Sequence, residues 1–273
     1  MSRLIAKKSL GQNFLRSEAA VLAIVDSIKN RNLPIVEIGG GEGVVTKALL
    51  DKDFEVNVVE LDPRAADLMR EKFSQEILDK KLKIFEQDVL QASFVEMADN
   101  RDYIVVGNIP YYITGLILRH IFEQTKLPQQ ATLMVQKEVA DRILARGGKE
   151  SILSLSVKVY GEVELVKVVK RGSFVPAPKV DSAIFTVKNI QTPFKSVEQE
   201  KLFFEIIKTA FKHPRKVALG NLKKYLILET FNKVEKVLVD ANCQNKRAED
   251  IPLSIWLNSC GAQISYKTVS QQE

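Results

Sequence analysis

Seven residues constrain this chain most: Glu37-Ile38-Gly39-Gly40-Gly41-Glu42-Gly43, between an apolar run at Pro34–Ile38 and a helical pattern over Val44–Leu50. Glycines at a strand-to-helix junction let the backbone turn sharply and let a ligand approach the main chain. The pattern downstream continues the same unit. Glu55–Glu60 reads as a second strand, and Pro63 opens a helix that runs to about Phe73. Leu82–Phe85, Tyr103–Gly107 and Ala131–Val135 are further strand-like runs. This alternation predicts an α/β fold with a mostly parallel sheet and helices on both faces. Ile152–Tyr160 and Val163–Val169, parted by Gly161, predict an antiparallel hairpin at the sheet edge. From Ile190-Gln-Thr-Pro-Phe-Lys-Ser onward, Leu202, Phe203, Ile206, Ile207, Ala210 and Phe211 recur at helical spacing. The expected division is residues 1–190 and 191–273, the second part small and all-helical.

Composition narrows the function classes. No apolar run approaches the ~18 residues that span a bilayer, and Met1–Lys8 is charged with no apolar stretch behind it, so no secretory leader is expected. Cys243 and Cys260 are far apart and there are only two histidines, which predicts no disulfide framework, no metal site and a reducing, cytoplasmic setting. The net charge is +6, of which residues 195–273 carry +4 (13 Lys/Arg against 9 Asp/Glu). That balance suits a polyanionic partner and equally a solvated helical face.

The glycine loop is out of register for a dinucleotide. That fingerprint is G-x-G-x-x-G, whereas Val44 stands three residues after Gly41. The spacing E-x-G-x-G-x-G is that of the first motif of S-adenosylmethionine (SAM) methyltransferases, with Gly39 and Gly41 lining the cofactor; a tight β–α turn is the competing explanation. Glu60 ends the second strand, where an acid accepts ribose hydroxyls, and Asp88 follows the third, where it can receive an adenine amino group. Asn108-Ile109-Pro110-Tyr111 follows the fourth. An adenine amine is a poor nucleophile, because its lone pair is delocalised into the ring. Two acceptors, the Asn108 amide oxygen and the Ile109 carbonyl, can draw it towards tetrahedral geometry while Tyr111 stacks on the base. In Ser173-Phe174-Val175-Pro176-Ala177-Pro178-Lys179, Phe174 is a candidate for the other face of an extruded base and Lys179 for a phosphate.

Taken in order, KSLGQNFL (8–15), EIGGGEG, VVELD (58–62), NIPYYIT (108–114), MVQKEVADRI (134–143) and SFVPAPKVDSA (173–183) resemble the ribosomal RNA adenine dimethyltransferases, most closely the bacterial small-subunit members. FKHPRK (211–216) and RAE (247–249) extend the resemblance to the tail. It implies a Rossmann-like class I SAM-dependent methyltransferase with a helical RNA-docking domain. The activity implied is conversion of two adjacent adenosines, near the 3′ end of 16S rRNA in the immature small subunit, to N6,N6-dimethyladenosine. SAM contacts are implied at Asn13, Leu15, Gly39, Glu60, Asp88 and Asn108. Lys212, Arg215, Lys216, Lys223 and Lys224 are the candidate RNA contacts of the second domain, and a monomer is expected. Two residues depart from the family pattern: Gly40 replaces a proline, which should loosen the turn, and Tyr112 replaces an asparagine. The alternatives are the 23S rRNA dimethylases of macrolide resistance, which share QNFL and NIPY, and a ribosome-assembly factor without catalysis.

Overall fold

The computed structural model describes residues 4–7 and 10–263, so Lys8 and Ser9 of the first motif lie outside the described residues. In chain order the elements are β1 (Phe14–Leu15), α1 (Glu18–Asp26), β2 (Ile35–Ile38), α2 (Val44–Leu50), β3 (Val56–Glu60), α3 (Pro63–Lys72), α4 (Ser74–Leu78), β4 (Leu82–Glu86), α5 (Phe94–Met97), β5 (Ile104–Asn108), α6 (Thr114–Phe122), β6 (Gln130–Gln136) and α7 (Lys137–Ile143). Then follow α8 (Ile152–Lys158), β7 (Glu162–Val169), β8 (Phe174–Val175), β9 (Ser182–Lys188), α9 (Val197–Ala210), α10 (Ala218–Tyr225), α11 (Leu228–Asp240) and α12 (Leu253–Ser259).

The chain forms two compact units. The first, up to Ala140 with Val163–Ile190, holds a sheet of order β4-β3-β2-β5-β6-β9-β7. β2 to β6 run parallel, and β9 pairs antiparallel with β6. Every residue of β2 and β3 is buried, as expected of parallel strands covered on both faces. Ile24, Ile35, Leu49, Val56, Val58 and Met69 form the heart of the core. The register matters for function. Ile38 lies opposite Val59 and Gly107, so the glycine loop, Glu60 and Asn108 leave the sheet at one edge. That edge, outside the carboxyl ends of parallel strands, is where such sheets bind ligands.

The expected hairpin is corrected. Residues 152–158 are helix α8, and β7 has β9 as its neighbour. Leu153, Leu155, Val157 and Val159 alternate with Ser154, Ser156 and Lys158, which imitates a strand period. The helix forms instead because Ser151 and Ser154 make a reciprocal capping box, the Ser151 hydroxyl accepting from Ser154 N at 3.0 Å. The division of the chain moves with it: residues 141–162 join residues from 191 onward in the second unit. This unit is helical, and α9 buries Phe203, Ile206, Ile207 and Ala210. No helix of the described residues is long and apolar enough to cross a membrane.

Candidate active site

An open cleft lies at the carboxyl edge of the parallel strands in the first unit. Its floor is the glycine loop, where Gly39 and Gly41 have φ of +73° and +54°, values that favour glycine. The loop is not loose at Gly40. An added Cβ there would lie 2.6 Å from Met69 Sδ and 2.8 Å from Val58 Cγ1, so neighbouring side chains fill the space. Gly39 N donates to Val59 O at 2.9 Å, and Gly43 N to Gly40 O at 2.8 Å.

Glu60 stands beside this loop. Its Oε2 accepts from Gly41 N at 2.9 Å and its Oε1 from Asp62 N at 2.8 Å. A carboxylate has about four acceptor sites, so each oxygen keeps one for a ligand hydroxyl. Asp88 Oδ1 accepts from Leu90 N at 2.9 Å, which fixes its carboxylate at the cleft wall. Glu37 is buried behind the loop, its Oε2 accepting from the Thr46 hydroxyl at 2.7 Å. Burial pushes the Glu37 carboxyl up to about 7 against the Thr46 hydrogen bond, with the Glu60 charge adding to the rise. Burial likewise raises Glu60.

The charges lining the cleft discriminate between ligands. Glu37, Glu42, Glu60 and Asp88 border it, and no Lys, Arg or His does so among the described residues. Glu42 is ion-paired with Arg16 and burial weakens the Glu37 charge, so Glu60 and Asp88 are the acids left to face a ligand. With no cation bordering the cleft to pair a pyrophosphate, a nucleoside bearing a positive charge is the better match. The residues therefore fit SAM, a cationic nucleoside.

The N-terminal segment supplies the opposite wall. β1 pairs antiparallel with β8, Phe14 opposite Val175 and Leu15 opposite Phe174, which brings the QNFL and SFVPAP motifs together. Gln12 and Asp62 fasten the segment, although neither carried a role in the sequence reading: Gln12 Nε2 donates to Asp62 Oδ2 at 2.9 Å, and Gln12 Oε1 accepts from Lys7 N at 2.8 Å. Hydrogen bonds from Arg64 hold the buried Asp62 carboxyl well below the usual carboxylate range. Asn13 and Leu15 line the cleft.

On the far side, Asn108 Nδ2 donates to Asn13 O at 3.3 Å, leaving the Asn108 amide oxygen as acceptor. Ile109 N is engaged by Met134 O at 3.1 Å, and no described residue donates to the Ile109 carbonyl. The Tyr111 hydroxyl lies 2.6 Å from the buried Ser182 hydroxyl, a tether for which the sequence offered no signal beyond its place in the SFVPAPKVDS run. Burial raises the Tyr111 phenol, so it is neutral and no general base. Phe174 is corrected. At 2 % exposure it packs in the core, because alternation along β8 turns Phe174 inward and Val175 outward. Lys179 is exposed on the loop that follows.

In the second unit, Lys212, Arg215, Lys216, Lys223 and Lys224 are all exposed. Lys212 Nζ lies 3.7 Å from the Tyr225 ring centroid and Lys224 Nζ 5.1 Å, so one aromatic ring gathers both cations. Val217 bridges to Arg247, which sets Arg247 and Lys246 beside the Arg215–Lys216 turn. The sequence reading missed this extension, because its two halves are some thirty residues apart.

Comparison with known proteins fixes the family. Residues 3–257 match the model of the family described as ribosomal RNA adenine dimethylase. The chain belongs to the ribosomal RNA adenine dimethylase family. The "Ribosomal RNA small subunit methyltransferase A" of Mycoplasmopsis pulmonis is 41% identical over 222 residues, 81% of this chain and 84% of that one. The protein of the same name from Fusobacterium nucleatum is 37% identical over 261 residues, 90% of this chain and 93% of that one. Among solved structures, the 23S rRNA methyltransferase ErmE aligns with a TM-score of 0.73 at 28% identity, covering 91% of this chain and 98% of that chain. A dimethyladenosine transferase from Plasmodium falciparum shares the fold, with a TM-score of 0.74 at 24% identity over the same shares. Membership in the adenine dimethylase family carries the reaction class with it: SAM-dependent methylation of adenine in ribosomal RNA.

Proposed function

We propose that the chain dimethylates the N6 amines of two adjacent adenosines in the 3′-terminal hairpin loop of 16S rRNA, on an immature small subunit, as a cytoplasmic monomer. The observation that carries the reading is the pairing of a cleft bordered by acids and by no Lys, Arg or His among the described residues with the Asn108-Ile109-Pro110-Tyr111 turn at its rim. The small-subunit choice rests on the two small-subunit relatives, at 41% and 37% identity, against 28% for the 23S enzyme ErmE.

Bound in the cleft, SAM supplies an electrophilic methyl group on a cationic sulfur. Glu60 takes the ribose hydroxyls on its free acceptor sites, and Asp88 takes the adenine amine. Gly39, Gly41, Asn13 and Leu15 enclose the remainder. Asn108 Oδ1 and Ile109 O accept the two hydrogens of the target amine and localise its lone pair. Asn13 orients that amide by accepting from Asn108 Nδ2. Tyr111, tethered to Ser182, stacks on the base. No residue acts as a strong base, since the amine sheds its proton only after becoming cationic. Lys212, Arg215, Lys216, Lys223 and Lys224 take backbone phosphates, as does Lys179.

Transfer of tritium from labelled SAM tests the reading. Undermethylated small subunits should be labelled and free 23S rRNA should not. Label in 23S rRNA alone, or in neither, overturns it.

A further inference from the structure

Tyr112 is an aromatic residue left bare at the mouth of the cleft. It directly follows Tyr111, whose hydroxyl is tied to Ser182, yet Tyr112 is 63% exposed. No hydrogen bond reaches its hydroxyl from the described residues. One edge of the ring is seated: a Cβ added to Gly11 would lie 3.1 Å from Tyr112 Cε1 and 3.2 Å from Cδ1. The surface beside the ring is also open. Gly115 and Leu116 stand three and four residues on, in the first turn of α6, and both are exposed. A Cβ at Gly115 would meet nothing within 4 Å, and Leu116 is 53% exposed. Water against an aromatic ring and a leucine is costly, and a flat partner with an apolar face removes that cost; the missing side chain at Gly115 leaves room for it.

We infer that Tyr112, with the bare surface at Gly115 and Leu116, is a stacking site for the nucleotide next to the adenosine being methylated. The inference rests on the proposed substrate, in which two adenosines are adjacent. Two consecutive tyrosines then serve two consecutive bases. Tyr111 is fixed by a hydrogen bond and holds the target; Tyr112, with one edge beside Gly11 and most of its surface exposed, holds the neighbour. A π-face accepts either base in turn, so the site works whichever adenosine is in the cleft. Tyr112 contributes to RNA binding and register and takes no part in methyl transfer.

The test uses small subunits assembled on 16S rRNA whose 3′ hairpin is a ligated synthetic strand, carrying either adenine or an abasic sugar beside one target adenosine. Base–aromatic stacking lost by Tyr112→Ala should raise KM for intact subunits roughly 5- to 150-fold with kcat nearly unchanged. Tyr112→Phe should match wild type. On abasic subunits, wild type and Tyr112→Ala should converge. Gly115→Leu, which fills open space and strains nothing, should raise KM as the alanine variant does. SAM affinity by calorimetry should be the same in all four proteins. The inference is overturned if Tyr112→Ala equals wild type on intact subunits, if its defect persists on abasic ones, or if SAM affinity falls in step with RNA binding. Failure of wild type to methylate intact subunits overturns the parent reading, and this one with it.

Discussion

Replacing Glu60 with Ala probes the cofactor end of the site. Glu60 is 7% exposed, and its two carboxylate oxygens already accept from Gly41 N at 2.9 Å and Asp62 N at 2.8 Å. The variant therefore loses two things at once: the free acceptor sites for the ribose hydroxyls and the anchor that sets Gly41. Hydrogen bonds to a charged acceptor contribute ~1.5–3 kcal/mol each. Because the cleft is open, water re-solvates the freed amides and returns part of this, leaving about 2–4 kcal/mol. SAM affinity should fall roughly 30- to 700-fold. Glu60→Gln should behave more like Ala than like Glu, since its amide NH2 must face either Gly41 N–H or Asp62 N–H, donor against donor. The charge also has a pH signature. Burial raises the Glu60 carboxyl, so its ionised form is lost early as pH falls. Wild-type affinity should decline towards acid pH, and the decline should be shallower in Glu60→Ala. Isothermal titration with SAM from pH 5.5 to 8 measures both effects. Affinity within threefold of wild type at pH 8 refutes the role.

Asn108→Ala should fold and bind ribosomal RNA yet lose most of its kcat, with a smaller rise in the SAM KM, in single-turnover and steady-state assays; wild-type turnover refutes its part in transfer. Glu37 carries a stability cost that depends on pH. Unfolded, it ionises near 4.5; folded, it keeps its proton to about 7, so wild type loses stability as pH rises between these values. The loss is roughly 3 kcal/mol once complete. Glu37→Gln should therefore gain on wild type in thermal melts at pH 8 and not at pH 4.5, and an equal difference at both pH values refutes the assignment. Arg215→Ala with Lys216→Ala should weaken binding to small subunits and flatten the log-affinity against log-salt slope by ~0.7–0.9 per lost phosphate contact. SAM affinity should stay the same; an unchanged slope in filter binding means that the pair is only a solvated face.

The parallel half of the sheet was legible because its signals are local. β-branched runs, the glycine loop and Pro63 at a helix start each act within a few residues. Glu60, Asp88 and Asn108 could be placed because each follows such a strand at its carboxyl end. One local signal was overridden by another: the alternation of residues 153–159 reads as a strand until the Ser151–Ser154 box is recognised. Signals that depend on distant partners were not legible. β9 begins where the stretch read for its prolines ends, and the run of residues 184–188 was not read as a strand. Phe174 looked like a base-stacking ring because nothing local shows that pairing with Leu15 turns it into the core. The tether of Tyr111 to Ser182 spans 71 residues and that of Gln12 to Asp62 spans 50, so neither has a sequence signature.

Mass spectrometry of the 3′-terminal fragment of 16S rRNA, after incubation of undermethylated small subunits with SAM and the protein, tests the central claim most directly. Both adjacent adenosines should carry two methyl groups each with wild type, and neither should with Asn108→Ala. Methyl groups confined to other nucleotides, a single methyl per adenosine at completion, or an active Asn108→Ala enzyme would contradict the account.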